Sequence, residues 1–442
     1  MRKSLWLGVV VALLVAACGR AAITGDAPGS TVGDVISSMP DAPLLVASDL
    51  ARVQADSPAA DVAAVAAADA TFGAALLSVL AEGEDANLAV SPLSIRLALA
   101  MAYAGAGGET AGQMAAVLGY GLPGDRLHAA FNALDVAIED RAGTFPGEGG
   151  RQLSVEISIS NALWGQAGFP VRQAFLDALA LNYGAGMRLV DFATAAESAR
   201  QAINAWVAGE TNDRIPELIP PGVLDPQTLL VLTNTVYLLA DWALPFDSEA
   251  SADGSFTRLD GSTVTVPFMH QQLNTLRAAG DGWQAVDLAY VGNEVAMLLV
   301  VPDEGRYPEA EAAAADLFEE ARSALVPTEV KLALPRFEFR SRASLPEALR
   351  ALGMVDAFDG GAADFSGISG EGGLFISDVI HEVFVSVNEA GTEAAAATAV
   401  IMGRGLPPIP VELIVDRPFL FWLYDRPTDS VLFLGRVLDP SA

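Results

Sequence analysis

Between positions 61 and 80, Val62, Val65, Phe72, Leu76, Leu77 and Leu80 recur at helical spacing with alanines between them, so the segment is predicted to form a long amphipathic helix. Helical patterns return at 92–105, 110–118, 125–140, 170–182 and 195–211. Interleaved with them, 153–164, 229–239, 286–301, 330–339 and 375–387 are β-branched or alternating runs bounded by turn residues, the pattern of strands. No repeat period and no second linker interrupts the series, which predicts one large α+β domain over 61–442. Residues 18–60 hold neither period and are rich in Ala, Asp, Pro, Gly and Ser, the composition of a flexible tether. A coil of that length has an r.m.s. reach on the order of 35 Å. The alternative for part of it is that Leu44, Leu45 and Val46 pack onto the domain as a stray strand.

Charge and cysteine content narrow the classes. The 442 residues carry 25 basic and 55 acidic side chains, a net charge of −30, and the only lysines are Lys3 and Lys331, so nucleic acid is excluded as a partner. The single cysteine, Cys18, rules out disulfides and cysteine metal clusters. It follows basic Arg2 and Lys3, an apolar run too short to span a bilayer, and small Ala16 and Ala17, which together read as a secretory signal over 1–17. The tetrad Val15-Ala16-Ala17-Cys18 resembles a bacterial lipobox, which implies lipidation at Cys18 and an exported, envelope-anchored protein whose only membrane attachment is that lipid. With Gly19 next in the chain, the resemblance favours an outer membrane. Ordinary signal cleavage with Cys18 as a bystander is the alternative.

Common catalytic patterns are missing. His128, His270 and His381 form no His-x-x-x-His pair, there is no Gly-x-Ser-x-Gly elbow, and Thr328 rather than serine stands three residues before Lys331. Neither 105–108 nor Gly403-Arg404-Gly405 continues into a phosphate-binding glycine motif, so both read as turns. No metal, cofactor or enzymatic activity is expected.

The informative segment lies near the C-terminus. After the alternating Val379, His381, Val383, Val385 and Val387 comes Glu389-Ala390-Gly391-Thr392-Glu393-Ala394-Ala395-Ala396-Ala397-Thr398. Helix propensity alone makes the alanines a short helix, while their small side chains also suit a segment that slides between strands. This run resembles the reactive-loop hinge of inhibitory serpins, and Leu413-Ile414-Val415-Asp416-Arg417-Pro418-Phe419-Leu420-Phe421-Trp422-Leu423 resembles that family's C-terminal signature. Asn87-Leu88-Ala89-Val90-Ser91-Pro92-Leu93-Ser94-Ile95, Asn161-Ala162-Leu163-Trp164, Asn234-Thr235-Val236-Tyr237 with Trp242, Ala363-Asp364-Phe365-Ser366-Gly367-Ile368 and Val431-Leu432-Phe433-Leu434-Gly435-Arg436-Val437 match further family motifs in the right order. The chain departs from the family pattern at Asp213-Arg214-Ile215 and at Leu238-Leu239-Ala240-Asp241-Trp242.

The resemblance implies a serpin fold, α+β with three β-sheets, about eight or nine helices and an exposed reactive loop. It implies a serine protease inhibitor, not an enzyme: the target attacks the loop, and the cleaved loop inserts as a new strand and traps the acyl-enzyme. A non-inhibitory serpin acting as a cell-surface binding module is the alternative. Family loop length, sixteen residues on from Glu389, lands on Gly405, but the loop varies by a residue in the family and the adjacent Arg404 suits a trypsin-like pocket, so cleavage is expected at Arg404–Gly405, with Met402 and Leu406 as alternative baits for other specificities. Ser91, Ser94, Asn234 and His381 match the polar shutter beneath the sheet. Over 110–140 only Arg126 and His128 are basic, so no sulfated polysaccharide is expected to bind, and the protein is expected to be a monomer.

Overall fold

The structure, a computed structural model, describes residues 43–147, 150–370, 372–392 and 410–442. In chain order the elements begin with β1 (Leu44–Val46), α1 (Ala59–Ala81), β2 (Leu88–Val90), α2 (Pro92–Tyr103), α3 (Gly108–Leu118) and α4 (Gly124–Glu139). Then come β3 (Gly143–Pro146), β4 (Gln152–Gln166), α5 (Gln173–Tyr183), β5 (Met187–Val190), α6 (Phe192–Glu210), β6 (Leu230–Asp241), β7 (Ala252–Thr257), β8 (Thr263–Gly280), β9 (Trp283–Ala289) and β10 (Val295–Pro302). The chain continues through α7 (Tyr307–Ala312), α8 (Ala314–Ser323), β11 (Val326–Pro335), β12 (Phe337–Ser344), α9 (Pro346–Ala351), α10 (Ser366–Ser369), β13 (Ile376–Val387), β14 (Gly391–Thr392), β15 (Val411–Ile414), β16 (Phe419–Asp425) and β17 (Val431–Val437).

Two sheets organise these elements where three were expected. The first runs β1-β5-β4-β6-β13-β12, with β3 added on β4 and β14 on β6; the second runs β15-β11-β8-β9-β10-β16-β17-β2, with β7 added on β8. The count falls to two because β8, 18 residues long, pairs with β11 along Phe268 to Arg277 and with β9 from Leu276 onward, so one strand joins what would otherwise be two sheets. Ten α-helices are present among the described residues, more than the expected eight or nine. The excess comes from short pieces such as α7 and α8, which a single residue, Ala313, separates.

Two corrections concern boundaries. Order begins before residue 61: β1 pairs antiparallel with β5, Leu44 opposite Leu189, and Val53 N–H donates to Leu181 O at 2.9 Å. Residues 43–58 are thus part of the domain rather than tether, and the alternative of a stray strand at 44–46 holds. Arg52 fixes this segment to α4, donating to Asn132 Oδ1 and Asp135 Oδ2, both at 2.7 Å. The apolar run at 286–301 is two strands, β9 and β10, joined by a tight turn in which Gly292 and Asn293 both have positive φ. Residues 1–42, with the signal region and Cys18, lie outside the described residues.

Both faces of the first sheet are covered. On one side, Trp164 of β4, Val231 of β6 and Ile380 of β13 form a buried cluster with Phe192, Ile203 and Val207 of α6. On the other side, α2, buried at every residue but Tyr103, joins the main core. Successive strand residues therefore alternate between two interiors: Thr233 accepts from Trp164 Nε1 at 2.9 Å, while the next residue, Asn234, bonds to Ser94 of α2.

Candidate functional site

The site lies along the seam between β6 and β13, the parallel pair at the centre of the first sheet. Their ladder runs from Leu230 opposite Ile376 to Val236 opposite Val383. Beyond that point β6 continues to Asp241 and β13 to Val387, and β14 enters from the loop side, with Gly391 opposite Asp241 and Thr392 opposite Ala240. A parallel ladder that stops early leaves backbone groups on β6 for another strand, and the hinge residues Gly391 and Thr392 take the outermost of them.

Midway down the seam the predicted shutter residues come together. Asn161 of β4, Asn234 of β6 and His381 of β13 are Cα partners across three adjacent strands, directly over the N-terminus of α2. Ser91 precedes that helix and Pro92 opens it, a pair suited to a helix start. The Ser91 side chain does not cap; instead its backbone N–H donates to His381 Nε2 at 3.1 Å. Nε2 is thereby the acceptor, so Nδ1 carries the proton and donates to Asn234 Oδ1. Asn234 Nδ2 in turn donates to Ser94 Oγ and Asn161 Oδ1. Burial pulls the His381 pKa down to about 3, so the ring is neutral and cross-links the strands as a hydrogen-bonding group, with no part in catalysis. Asn161 was not assigned to the shutter from sequence; its place opposite Asn234 follows from register alone.

At the upper end of the seam the hinge is held on every side. Glu389 is buried, and its carboxylate accepts from Ser251 Oγ at 2.5 Å and from Arg336 Nε at 2.7 Å. Burial works to raise the Glu389 pKa, but the Ser251 hydroxyl and the Arg336 guanidinium outweigh it and hold the carboxyl below its usual range. The loop after β6 supplies the next contacts: Trp242 N–H donates to Ala390 O at 2.8 Å, its indole Nε1 donates to Asn388 O at 3.0 Å, and Phe246 N–H donates to Glu389 O at 2.8 Å. The Trp242 ring stacks on Tyr290 at 4.4 Å between centroids, and the Tyr290 hydroxyl bonds Thr392 Oγ1 at 2.8 Å. Gly391 is required by close approach: a Cβ there would stand 1.9 Å from Ala240 O.

Sequence reading located Glu389, Gly391 and Thr392 but missed their holders, Ser251, Tyr290 and Arg336, which come from remote segments with no local signature. Trp242 carried a signal, its place in a recognised motif, without a role attached. Thr392 is also more deeply placed than expected, buried in the sheet before any cleavage. Glu393, Ala394, Ala395, Ala396, Ala397, Thr398, Arg404 and Gly405 lie outside the described residues.

Comparison with known proteins gives a consistent picture. The family model described as Serpin (serine protease inhibitor) matches residues 67–440. Serpin B6 of Macaca fascicularis is 37% identical over 385 residues, which takes in 85% of this chain and 99% of the relative. Leukocyte elastase inhibitor of Xenopus laevis is 34% identical over 362 residues, covering 80% of this chain and 93% of that one. Among solved structures, the thermophilic serpin tengpin in its native state superposes with a TM-score of 0.79 at 27% identity, covering 90% of this chain and all of tengpin.

Proposed function

Because the chain belongs to the serpin family and has its fold, we propose that it inhibits a trypsin-like serine protease by inserting its cleaved loop between β6 and β13. The observation that carries this reading is the seam itself: a ladder that stops at Val236 and Val383, with Gly391 and Thr392 already seated at its open end. A relative named as an elastase inhibitor supports protease inhibition, while the trypsin-like specificity rests on Arg404 alone.

In this scheme the protease serine attacks the Arg404 carbonyl, the Arg404–Gly405 peptide bond breaks, Gly405 leaves as the new amine, and Arg404 stays esterified to the enzyme. The inhibitor supplies no catalytic group. Residues from Glu393 onward then continue the pairing that Gly391 and Thr392 begin, displacing the β6–β13 ladder residue by residue and carrying the enzyme along. About ten added residues, each gaining a net hydrogen bond of roughly 1 kcal/mol, supply on the order of 10 kcal/mol, comparable with a domain's whole stability. Passage of the new strand requires the Asn234–His381 bond to break, since Asn234 and His381 face each other across the seam. The uncharged ring of His381 lets that bond exchange without moving a buried charge.

The test is incubation with a panel of secreted serine proteases followed by a denaturing gel. A heat- and detergent-stable covalent band is expected with a trypsin-like enzyme; clean cleavage with no band, for every enzyme that cuts, overturns inhibition. We propose further that Cys18 is lipidated and anchors the exported protein to the bacterial cell envelope. Cys18→Ser is expected to move the protein from the detergent to the aqueous phase, and an unmodified mature N-terminus in the wild type overturns the anchor.

A further inference from the structure

β6 ends on Asp241, in one of the two segments where the chain departs from the family pattern. The residue meets the hinge through its backbone: Gly391 is its partner across the strands, and a Cβ on Gly391 would stand 2.7 Å from Asp241 Cα. Backbone therefore lies directly on backbone, and a shift of Asp241 reaches Gly391 with no side chain between them to absorb it. The Asp241 carbonyl accepts from Val291 N–H at 2.9 Å, next in the chain to the Tyr290 that holds Thr392.

The Asp241 side chain lies on the opposite face of the sheet from Thr392, because Thr392 pairs with Ala240 and successive strand residues alternate. There its carboxylate is buried and accepts from Ser154 N–H at 2.8 Å and from Arg151 Nη2 at 3.1 Å. Among the described residues Arg151 is the only cation paired with it. Arg151 closes the β3–β4 turn, its carbonyl accepting from Gly147 N–H at 2.8 Å, and Phe145 of the same hairpin lies against Gly292, where a Cβ would be 2.8 Å from the ring. The hairpin thus holds the end of β6 directly and packs on the β9–β10 turn beside it.

We propose that Arg151 is a positioning residue for loop insertion, acting through Asp241 to hold the end of β6 where Gly391 and Thr392 seat. The inference rests on the inhibitor reading above. Without the guanidinium, the buried carboxylate faces no cation and is drawn toward water, which shifts the end of β6 and with it the seat of Gly391. The first two pairs must then re-form before pairing spreads along β6, so insertion loses ground to hydrolysis of the ester.

The test compares Arg151→Met, which keeps a long side chain and deletes the cation, with Arg151→Lys, which keeps a cation. In the intact full chain, hydrogen exchange at 390–392 is expected to quicken by roughly tenfold in Arg151→Met, the equivalent of one lost charge-assisted hydrogen bond. Exchange at Val383 to Val385 of β13 is expected to stay as in wild type, which a general loss of stability would not allow, and Arg151→Lys is expected to restore slow exchange at the hinge. With a protease that the wild type traps, Arg151→Met is expected to consume at least about threefold more inhibitor per trapped enzyme, with the rate of attack and the released fragment unchanged. Asp241→Asn removes the same ion pair, so in that background Arg151→Met is expected to add nothing. Wild-type exchange in Arg151→Met, no rescue by Arg151→Lys, or an undiminished effect in the Asp241→Asn background overturns the pairing as the cause. Quickened exchange with wild-type stoichiometry overturns the role in insertion. A wild type that traps no protease overturns the inhibitor reading instead, and exchange at 390–392 still decides whether Arg151 positions the hinge.

Discussion

Thr392 and Tyr290, 102 positions apart in the chain, share a buried hydrogen bond of 2.8 Å between their hydroxyls. It ties the first inserted residue of the loop to a phenol that is itself stacked on Trp242. Burial pushes the Tyr290 phenol far above its ordinary pKa, so the group is a neutral hydroxyl at any working pH and needs a neutral partner.

Removing that partner is the first test. Thr392→Val keeps the shape and deletes the hydroxyl, and it is expected to lower the stability of the intact protein by about 1–3 kcal/mol, the cost of a buried hydroxyl left unpaired. Urea unfolding of the intact and loop-cleaved forms measures it. Because Thr392 is only 2% exposed, Thr392→Arg is expected to unseat the hinge in the intact protein too, so it does not isolate the insertion step.

Acid should loosen the molecule through two histidines. Burial pulls the pKa of His381 down to about 3 and that of His128 to about 4, both below the unfolded value near 6.5. The unfolded chain then binds more protons than the folded one, so stability is full above about pH 6.5 and falls as pH drops toward the folded values. Each histidine contributes a slope of up to about 1.4 kcal/mol per pH unit over that window. His381→Gln is expected to remove its contribution, so that the slope of unfolding free energy between about pH 4 and 6 falls by up to about 1.4 kcal/mol per pH unit. An unchanged slope would mean that His381 titrates normally.

These two groups also show where sequence was enough and where it failed. His381 and Asn234 were legible because each sits in a strand whose alternation and motif locate it, and Ser91-Pro92 marks the start of α2 by cap chemistry alone. The β9–β10 hairpin was not legible as two strands, since β10 is buried at every position and β9 nearly so, which erases alternation. Its one signal was the Gly292-Asn293 turn. β1 is three residues long, too short for any period, and its partner β5 is more than 140 positions away. The holders of the hinge depend on tertiary packing: Arg336 follows β11, Ser251 precedes β7, and nothing local to either residue points toward Glu389.

Arg52 gives a prediction about the segment before α1. Its guanidinium meets Asn132 and Asp135 of α4, and Asp135 is a buried carboxylate whose pKa burial raises against the pull of Arg52. Arg52→Ala leaves that carboxylate buried without its cation, and a loss of about 1–3 kcal/mol is expected. Hydrogen exchange should also quicken at Leu44 to Val46 and at their β5 partners, because Arg52 is the charged link that fixes the segment. Exchange at β5 equal to wild type would show that β1 is held by its strand pairing alone.

The last prediction separates recognition by the protease from insertion of the loop. In the strand that the proposed insertion would form, Ala394 comes two residues after Thr392, so alternation would put its side chain on the same face, toward the interior where Thr392 meets Tyr290. Ala394→Arg therefore asks a charged side chain to leave water for a packed core, a cost of several kcal/mol set against an insertion that must outrun deacylation. Slower insertion gives the protease time to hydrolyse its ester and depart, so the variant is expected to be cut at the normal bond, to release the fragment from Gly405 to Ala442, and to trap little or no enzyme. Arg404→Ala acts on the earlier step. It removes the cation that a trypsin-like pocket pairs with its carboxylate, so attack slows, while any enzyme that does cut nearby is still trapped. Stoichiometry of inhibition, read beside the mass of the released fragment, tells the two apart: Ala394→Arg raises the number of inhibitor molecules consumed per protease with an unchanged fragment, and Arg404→Ala lowers the rate of attack with an unchanged stoichiometry. Undiminished trapping by Ala394→Arg would exclude insertion along β6 as the mechanism.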